Sequence, residues 1–279
     1  MDVRVVFSDL DGTLLATDKT LSPRTRRALV ELGEQGIEFV PCSGRALTGI
    51  PEELLSLDAC HYAVCSNGAK ILRVEDGETL HEVLLGACRA RQLWERVRTL
   101  DVTFDIFADG KIWSSRPAFE RMDSFGIDAY TLKAVKGFRT VTDETCDEIL
   151  DRLERDGGKV ERVTLFWHTE EDRDAVIAAI GEDPTLAWTT SVPHDIEVLD
   201  CGCSKGAALR WLCGHLGIPI EDSLAFGDGL NDAPLLAAAG LGVAMENAEL
   251  ETKAAADIVC PSNDEDGVAQ TLEHLLEKR

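Results

Sequence analysis

The chain is short of positive charge: 28 Lys and Arg stand against 51 Asp and Glu, a formal net charge of −23 at pH 7. A surface of that sign repels nucleic-acid phosphates, so no nucleic-acid partner is expected, and a site for an anionic ligand has to concentrate its cations locally. No run approaches 18 apolar residues, which leaves no candidate bilayer-spanning helix and no expected membrane partner. Residues 1–7 lead directly into a short apolar strand, without the basic segment and long apolar stretch of a secretory signal. The nine cysteines are odd in number and scattered, and only Cys201 and Cys203 lie close together. That pattern lacks the paired CxxC elements of a zinc ribbon and reads as reduced, buried thiols in a cytoplasmic protein. There is neither a low-complexity tract nor a repeat of solenoid period, so all 279 residues are expected to fold, as one large domain or two modest ones.

Short apolar runs alternate with amphipathic helical patterns at both ends of the chain. This predicts an α/β fold with a Rossmann-like parallel sheet. In the first third, strands are expected at 3–7, 37–42 and 62–65, with a helix capped by Ser22 and opened by Pro23, and another over 46–57. In the last third, helices over 204–216, 232–239 and 265–277 alternate with strands over 224–226, 241–244 and 258–260. Between them the rhythm changes. Helical segments 89–100, 143–155 and 172–180 alternate with strands such as 103–108 and 160–167 that carry a polar face, the pattern of an antiparallel sheet with helices on one side. The expected organisation is a core of 1–82 and 192–279 interrupted by an inserted α+β cap of 83–191, with hinges near Glu82 and Pro193.

The residues suited to chemistry follow the predicted strands. Asp9-Leu10-Asp11-Gly12-Thr13 comes directly after the first, where open parallel sheets bind ligands. Two aspartates flanking one residue can serve attack and proton transfer in a single site, and Gly12 permits a tight turn whose N–H groups face an anion. A capping turn would also use Asp-Gly. The second acidic cluster, Gly227-Asp228-Gly229-Leu230-Asn231-Asp232, follows another buried strand. If the two strands lie near the middle of one sheet, Asp9, Asp11, Asp228 and Asp232 converge. Four carboxylates repel unless a cation joins them, and hard oxygen ligands favour Mg²⁺. Ser43-Gly44-Arg45, placed after a strand and before a helix, reads as a phosphate cradle or as an ordinary N-cap. Lys205 at a helix start opposes the helix dipole, which suggests a nearby anion, or else a solvated side chain. Asn67-Gly68 offers a substrate contact or a turn.

In this order, these elements resemble the haloacid dehalogenase superfamily. The phrases Cys42-Ser43-Gly44-Arg45, Ser66-Asn67-Gly68-Ala69, Ser204-Lys205-Gly206, Val243-Ala244-Met245-Glu246-Asn247-Ala248 and Glu265-Asp266-Gly267-Val268-Ala269 are similar to its Cof-type branch with a type IIB cap. The likeness covers the whole chain, with specific motifs in the flanks and architecture alone in the cap. The chain departs from the branch's pattern at Ala233-Pro234-Leu235-Leu236, where many relatives have a Met, and at Cys203, where an aliphatic residue is usual.

The resemblance implies a Mg²⁺-dependent phosphatase of a small phosphorylated metabolite. Asp9 is the implied nucleophile, forming an aspartyl phosphate, and Asp11 the implied proton donor and later base. Asp9, Asp228, the backbone carbonyl of Asp11, and Asp232 are implied around the metal, Asp232 directly or one step removed. Ser43 and Lys205, with Gly12, Gly44 and Asn231, are implied around the phosphoryl group, and Arg45 and Asn67 are candidate substrate contacts. The cap is expected to close over the site and set specificity. A phosphomutase would use the same intermediate, and a phospho-aspartate switch would preserve it. Substrate identity and oligomeric state are not legible.

Overall fold

The computed structural model describes residues 2–277. Strand β1, Val5–Ser8, is buried along its whole length, as expected of a parallel strand covered on both faces. The helix Pro23–Glu34 follows. Ser22 accepts a hydrogen bond from the Thr25 N–H, and Ala28, Leu29 and Leu32 form the buried stripe. Strand β2 is Glu38–Pro41 and β3 is Tyr62–Cys65. The helix expected over 46–57 is instead a 3₁₀ turn, Leu47–Gly49, and one α turn, Glu52–Leu55. Pro51 is the reason: it forces Ile50 into the extended region, φ −81° and ψ 133°. Strand β3 is bridged by Val64 to Cys42, just past the end of β2, and then turns into an antiparallel hairpin with β4, Lys70–Arg73, and β5, Thr79–Glu82.

The chain divides into two compact units, one running to Glu82 and resuming at Ser204, the other spanning Val83–Cys203. The second unit contains β6 (Asp105–Ala108), β7 (Lys111–Ser115), β8 (Arg139–Thr142), β9 (Val160–Phe166), β10 (Leu186–Thr189) and β11 (Asp195–Asp200). They form one sheet in the order β10-β11-β9-β6-β7-β8. One face packs Ile106, Val163, Leu165, Ile196 and Val198 against the helices Ala87–Val97, Cys146–Asp156 and Glu170–Gly181. The opposite face carries buried charge, including Arg139 paired with Asp105 at 2.8 Å and Arg162 paired with Glu197. The sheet is antiparallel except for β7 and β8, which run parallel. The intervening 116–138 segment, unassigned from the sequence, holds the helices Arg116–Arg121 and Ala129–Gly137, and its length allows the crossover a parallel pair needs.

The boundary expected at 191–192 is corrected to 203–204. Strand β11 pairs antiparallel with both β9 and β10, so it belongs to the inserted unit. Pro193 lies in the turn between β10 and β11, beside His194 at φ +67°, and is not a hinge between units.

Returning to the first unit, the chain forms β12 (Ser223–Gly227), β13 (Leu241–Met245) and β14 (Ile258–Cys260). They complete a parallel sheet, β14-β13-β12-β1-β2, whose register sets Ser8 beside both Phe226 and Pro41. Helix Lys205–Leu216 packs against Ala233–Ala238 so closely that a Cβ on Gly206 would lie 2.1 Å from the Pro234 carbonyl oxygen. Backbone cannot yield as a side-chain tip can. Gly206→Ala is therefore expected to lower unfolding stability by about 1–3 kcal/mol or more in urea titration; an unchanged midpoint would show that the two helices can separate at no cost.

Candidate active site

Strands β1 and β12 are hydrogen-bonded neighbours, so the loops at their carboxyl ends begin side by side, and the Asp9 N–H donates to the Phe226 carbonyl at 3.1 Å. Of the four carboxylates expected to converge, three do: Asp9, Asp228 and Asp232 offer carboxylate oxygens all within 4.8 Å of one another, and the Asp11 side chain is not among them. The approach depends on Gly12. Its φ is +85°, and a Cβ there would lie 2.4 Å from Asp228 Oδ2.

Lys205 lies at the centre, with no exposed surface. Its Nζ donates to Asp9 Oδ1 at 2.5 Å and to Asp232 Oδ1 at 2.6 Å. The alternative of a solvated surface lysine is ruled out, and the anions it serves include the protein's own carboxylates. The Ser204 hydroxyl caps the helix by accepting from the Ala207 N–H, and the next residue, Lys205, is delivered into the cluster. Asp232 uses its second oxygen to accept from the N–H groups of Asp228 and Gly229, both at 3.0 Å, and so shapes the loop that carries Asp228. Thr13, to which the sequence assigned no role, donates its hydroxyl to Asp228 Oδ1 at 2.6 Å.

Charge balance defines what this cluster lacks. Three carboxylates share one ammonium, leaving two negative charges uncompensated when all are ionised. Burial, reinforced by Asp232 and Asp228 and opposed by Lys205, pushes the Asp9 carboxyl well above the ordinary range. Burial and Asp232 push Asp228 up to about 7. Burial alone would lower the Lys205 ammonium, but Asp232 and Asp9 hold it above its usual value. The donor set is therefore all oxygen, converging, and deficient by the charge of one divalent cation, which fits Mg²⁺.

Asp11 stands apart from the three. Its carboxylate accepts from Arg45 Nε and Nη2 at 2.8 and 2.7 Å and from Lys19 Nζ at 2.9 Å. Burial tends to raise it, but these two cations hold it below the usual carboxylate range. Arg45, expected as a substrate contact, is thus engaged by Asp11. Lys19 was not foreseen, because only a turn with Lys19 at φ +68° returns it to the site.

The cradle expected at Ser43 and Gly44 is not a helix N-terminus, since the nearest helical turn starts at Leu47. The loop is instead tied to its neighbours: the Ser43 hydroxyl accepts from the Arg45 N–H at 3.2 Å, and the Asn67 N–H donates to the Ser43 carbonyl at 3.1 Å. Ser66 and Asn67 both have positive φ, 50° and 58°, which turns Asn67 toward Asn231; the Asn231 Nδ2 donates to Asn67 Oδ1 at 3.2 Å. Asn247 closes the other side by donating to the Gly12 carbonyl at 2.7 Å.

A family model for haloacid dehalogenase-like hydrolases matches residues 6–272. The chain is 29% identical to the 5-amino-6-(5-phospho-D-ribitylamino)uracil phosphatase YcsE of Bacillus subtilis, over 98% of this chain and 96% of that protein. It is 31% identical to the HMP-PP phosphatase of Escherichia coli, over 90% of this chain and 87% of the other. A solved haloacid dehalogenase-like hydrolase from B. subtilis superposes with a TM-score of 0.84 at 28% identity, over 98% of this chain and all of that one. The chain belongs to the haloacid dehalogenase-like hydrolase family, and within it is a phosphatase acting on phosphoric monoesters.

The ammonium at the centre gives a direct test of the electrostatics. Lys205→Met would leave buried carboxylates without their cation, and unfolding stability is expected to fall by about 3–5 kcal/mol in chelator-treated protein. Added Mg²⁺ should recover part of that loss. Equal stability of variant and parent in chelator would mean the lysine balances nothing.

Proposed function

We propose that this phosphatase is magnesium-dependent and hydrolyses a small phosphorylated metabolite through an aspartyl phosphate on Asp9. The observation that carries the reading is the charge deficit of the Asp9–Asp228–Asp232 cluster around one buried lysine.

Asp9 and Asp228, with the Asp11 backbone carbonyl, would hold the ion. Asp232, both of whose oxygens are already engaged, supports Lys205 and the Asp228 loop instead of donating freely. Bound there, Mg²⁺ would supply positive charge that keeps a carboxylate ionised and draws a phosphoryl oxygen inward.

The chain's own residues account for the remaining roles. Asp9 attacks phosphorus in line, forming the Asp9 O–P bond as the bond to the leaving oxygen breaks, and Asp11 gives that oxygen a proton from the protonated fraction that Arg45 and Lys19 keep small. Asp11 then takes a proton from the water that attacks the aspartyl phosphate, releasing inorganic phosphate and restoring Asp9. Lys205, the Ser43 hydroxyl and the polar loop groups at Gly12, Gly44 and Asn231 hold the phosphoryl oxygens, and Asn67, buried against Asn231, supports that loop. Lys205, Arg45 and Lys19 bring three cations against the carboxylates of Asp9, Asp11, Asp228 and Asp232, so a bound divalent cation would be what turns the site positive for an anionic substrate in a chain of charge −23.

The names of the two relatives support a small phosphorylated metabolite as substrate. None of the nine cysteines is in a disulfide, which supports a reducing, cytoplasmic setting.

A phosphate-release assay over a panel of sugar, nucleotide and cofactor phosphates tests the reading. Turnover is expected with Mg²⁺ and should disappear on chelation. Asp9→Asn should lower kcat by about 10⁴-fold or more while the protein remains folded. Comparable turnover by the variant would remove Asp9 from its role.

A further inference from the structure

We infer that Arg45 and Lys19 are positioning residues that act through Asp11, an assignment that rests on the proposed aspartyl-phosphate reading. Two separate loops, one following each of β1 and β2, bring a cation to the same carboxylate. Arg45 presents the edge of its guanidinium, Nε and Nη2 each donating to a different oxygen of Asp11, while Nη1 donates to the Gly49 carbonyl at 2.7 Å. Its main chain is held as well: the N–H donates to Ser43 Oγ, and the carbonyl accepts from the Ser66 N–H at 3.0 Å. A forked pair of this kind fixes the plane of a carboxylate as well as its position.

Lys19 reaches Asp11 from a hydrogen-bonded turn. The Lys19 N–H donates to the Ala16 carbonyl at 2.8 Å, and Asp18 Oδ1 accepts from the Thr20 N–H and hydroxyl. Thr17 anchors the turn by donating its N–H and hydroxyl to the two oxygens of Asp264, each at 2.8 Å. The left-handed backbone at a lysine, φ +68°, is a conformation the sequence would avoid in an unconstrained loop.

The constraint matters because the Asp11 side chain is 38% exposed and is not part of the acidic cluster, so the cluster does not orient it. Without the two cations it would sample several rotamers, only some directed at a leaving oxygen or a water. Arg45 thus serves the reaction by holding the proton-transfer group, not by binding substrate, which separates this role from the substrate contact expected from sequence.

A double-mutant cycle tests it, with p-nitrophenyl phosphate as the probe and saturating Mg²⁺. Arg45→Ala is expected to lower kcat by about 10- to 100-fold with KM changed less than about threefold, the signature of a misplaced catalytic group. Lys19→Ala should have a smaller effect in the same direction. In an Asp11→Asn background, either substitution should change kcat by less than about twofold, because the group they position is already gone. Losses that multiply in the double variants, a rise in KM at constant kcat, or single variants with parental kinetics would overturn the assignment. Should Arg45→Ala not fold, Arg45→Lys and the exposed Lys19 carry the same cycle. Asp9→Asn, assayed alongside, separates the two levels. Turnover in that variant refutes the aspartyl-phosphate reading, whereas an inactive Asp9→Asn with multiplying losses refutes the positioning role alone.

Discussion

The ammonium of Lys205, wholly buried between Asp9 and Asp232, is the interaction on which the site depends. A buried lysine is costly unless paired, and buried carboxylates are costly in the same way. Each side of this arrangement makes the other tolerable. One lysine cannot balance three acids, however, and the remaining negative charge is what supports the proposed divalent metal. Function and local stability are therefore set by the same few charges.

The parallel sheet supplies the geometry. Placing β1 next to β12 sets two acidic loops at one edge, and β2 beside β1 brings the Ser43 loop to the same edge. Gly12 and Gly206 remove the Cβ atoms that would hold these parts apart. The helix that starts at Lys205 then needs only an N-cap, provided by Ser204, to aim its first side chain inward.

Much of this was legible in the sequence, for identifiable reasons. Buried parallel strands are continuous apolar runs, and the loops at their ends carry Asp9 and Asp228 at positions where a fold of this kind binds ligands. The helix over 204–216 was legible from its pattern, and the cation at its start pointed to a nearby anion. What escaped notice depended on contacts distant in the chain or on exceptional backbone. Thr13 reaches Asp228 across 215 residues, and Lys19 comes back through a left-handed turn. Pro51 broke a helix that periodicity alone predicted. Strand β11 carries buried charge, Asp195 and Glu197, so its membership of the inserted sheet was hidden until its pairing with β9 was seen. The parallel pairing of β7 with β8 depends likewise on a crossover whose helices have weak apolar stripes.

The most direct measurement of the central claim is the number of divalent ions bound by the intact protein at neutral pH, counted by Mn²⁺ paramagnetic resonance with Mg²⁺ competition. One ion per chain, displaced by Mg²⁺ and lost in Asp228→Asn, is the expected result. A parent chain that binds no ion at millimolar concentration, while folded, would contradict the account, because the acids around Lys205 would then be balanced by the protein alone.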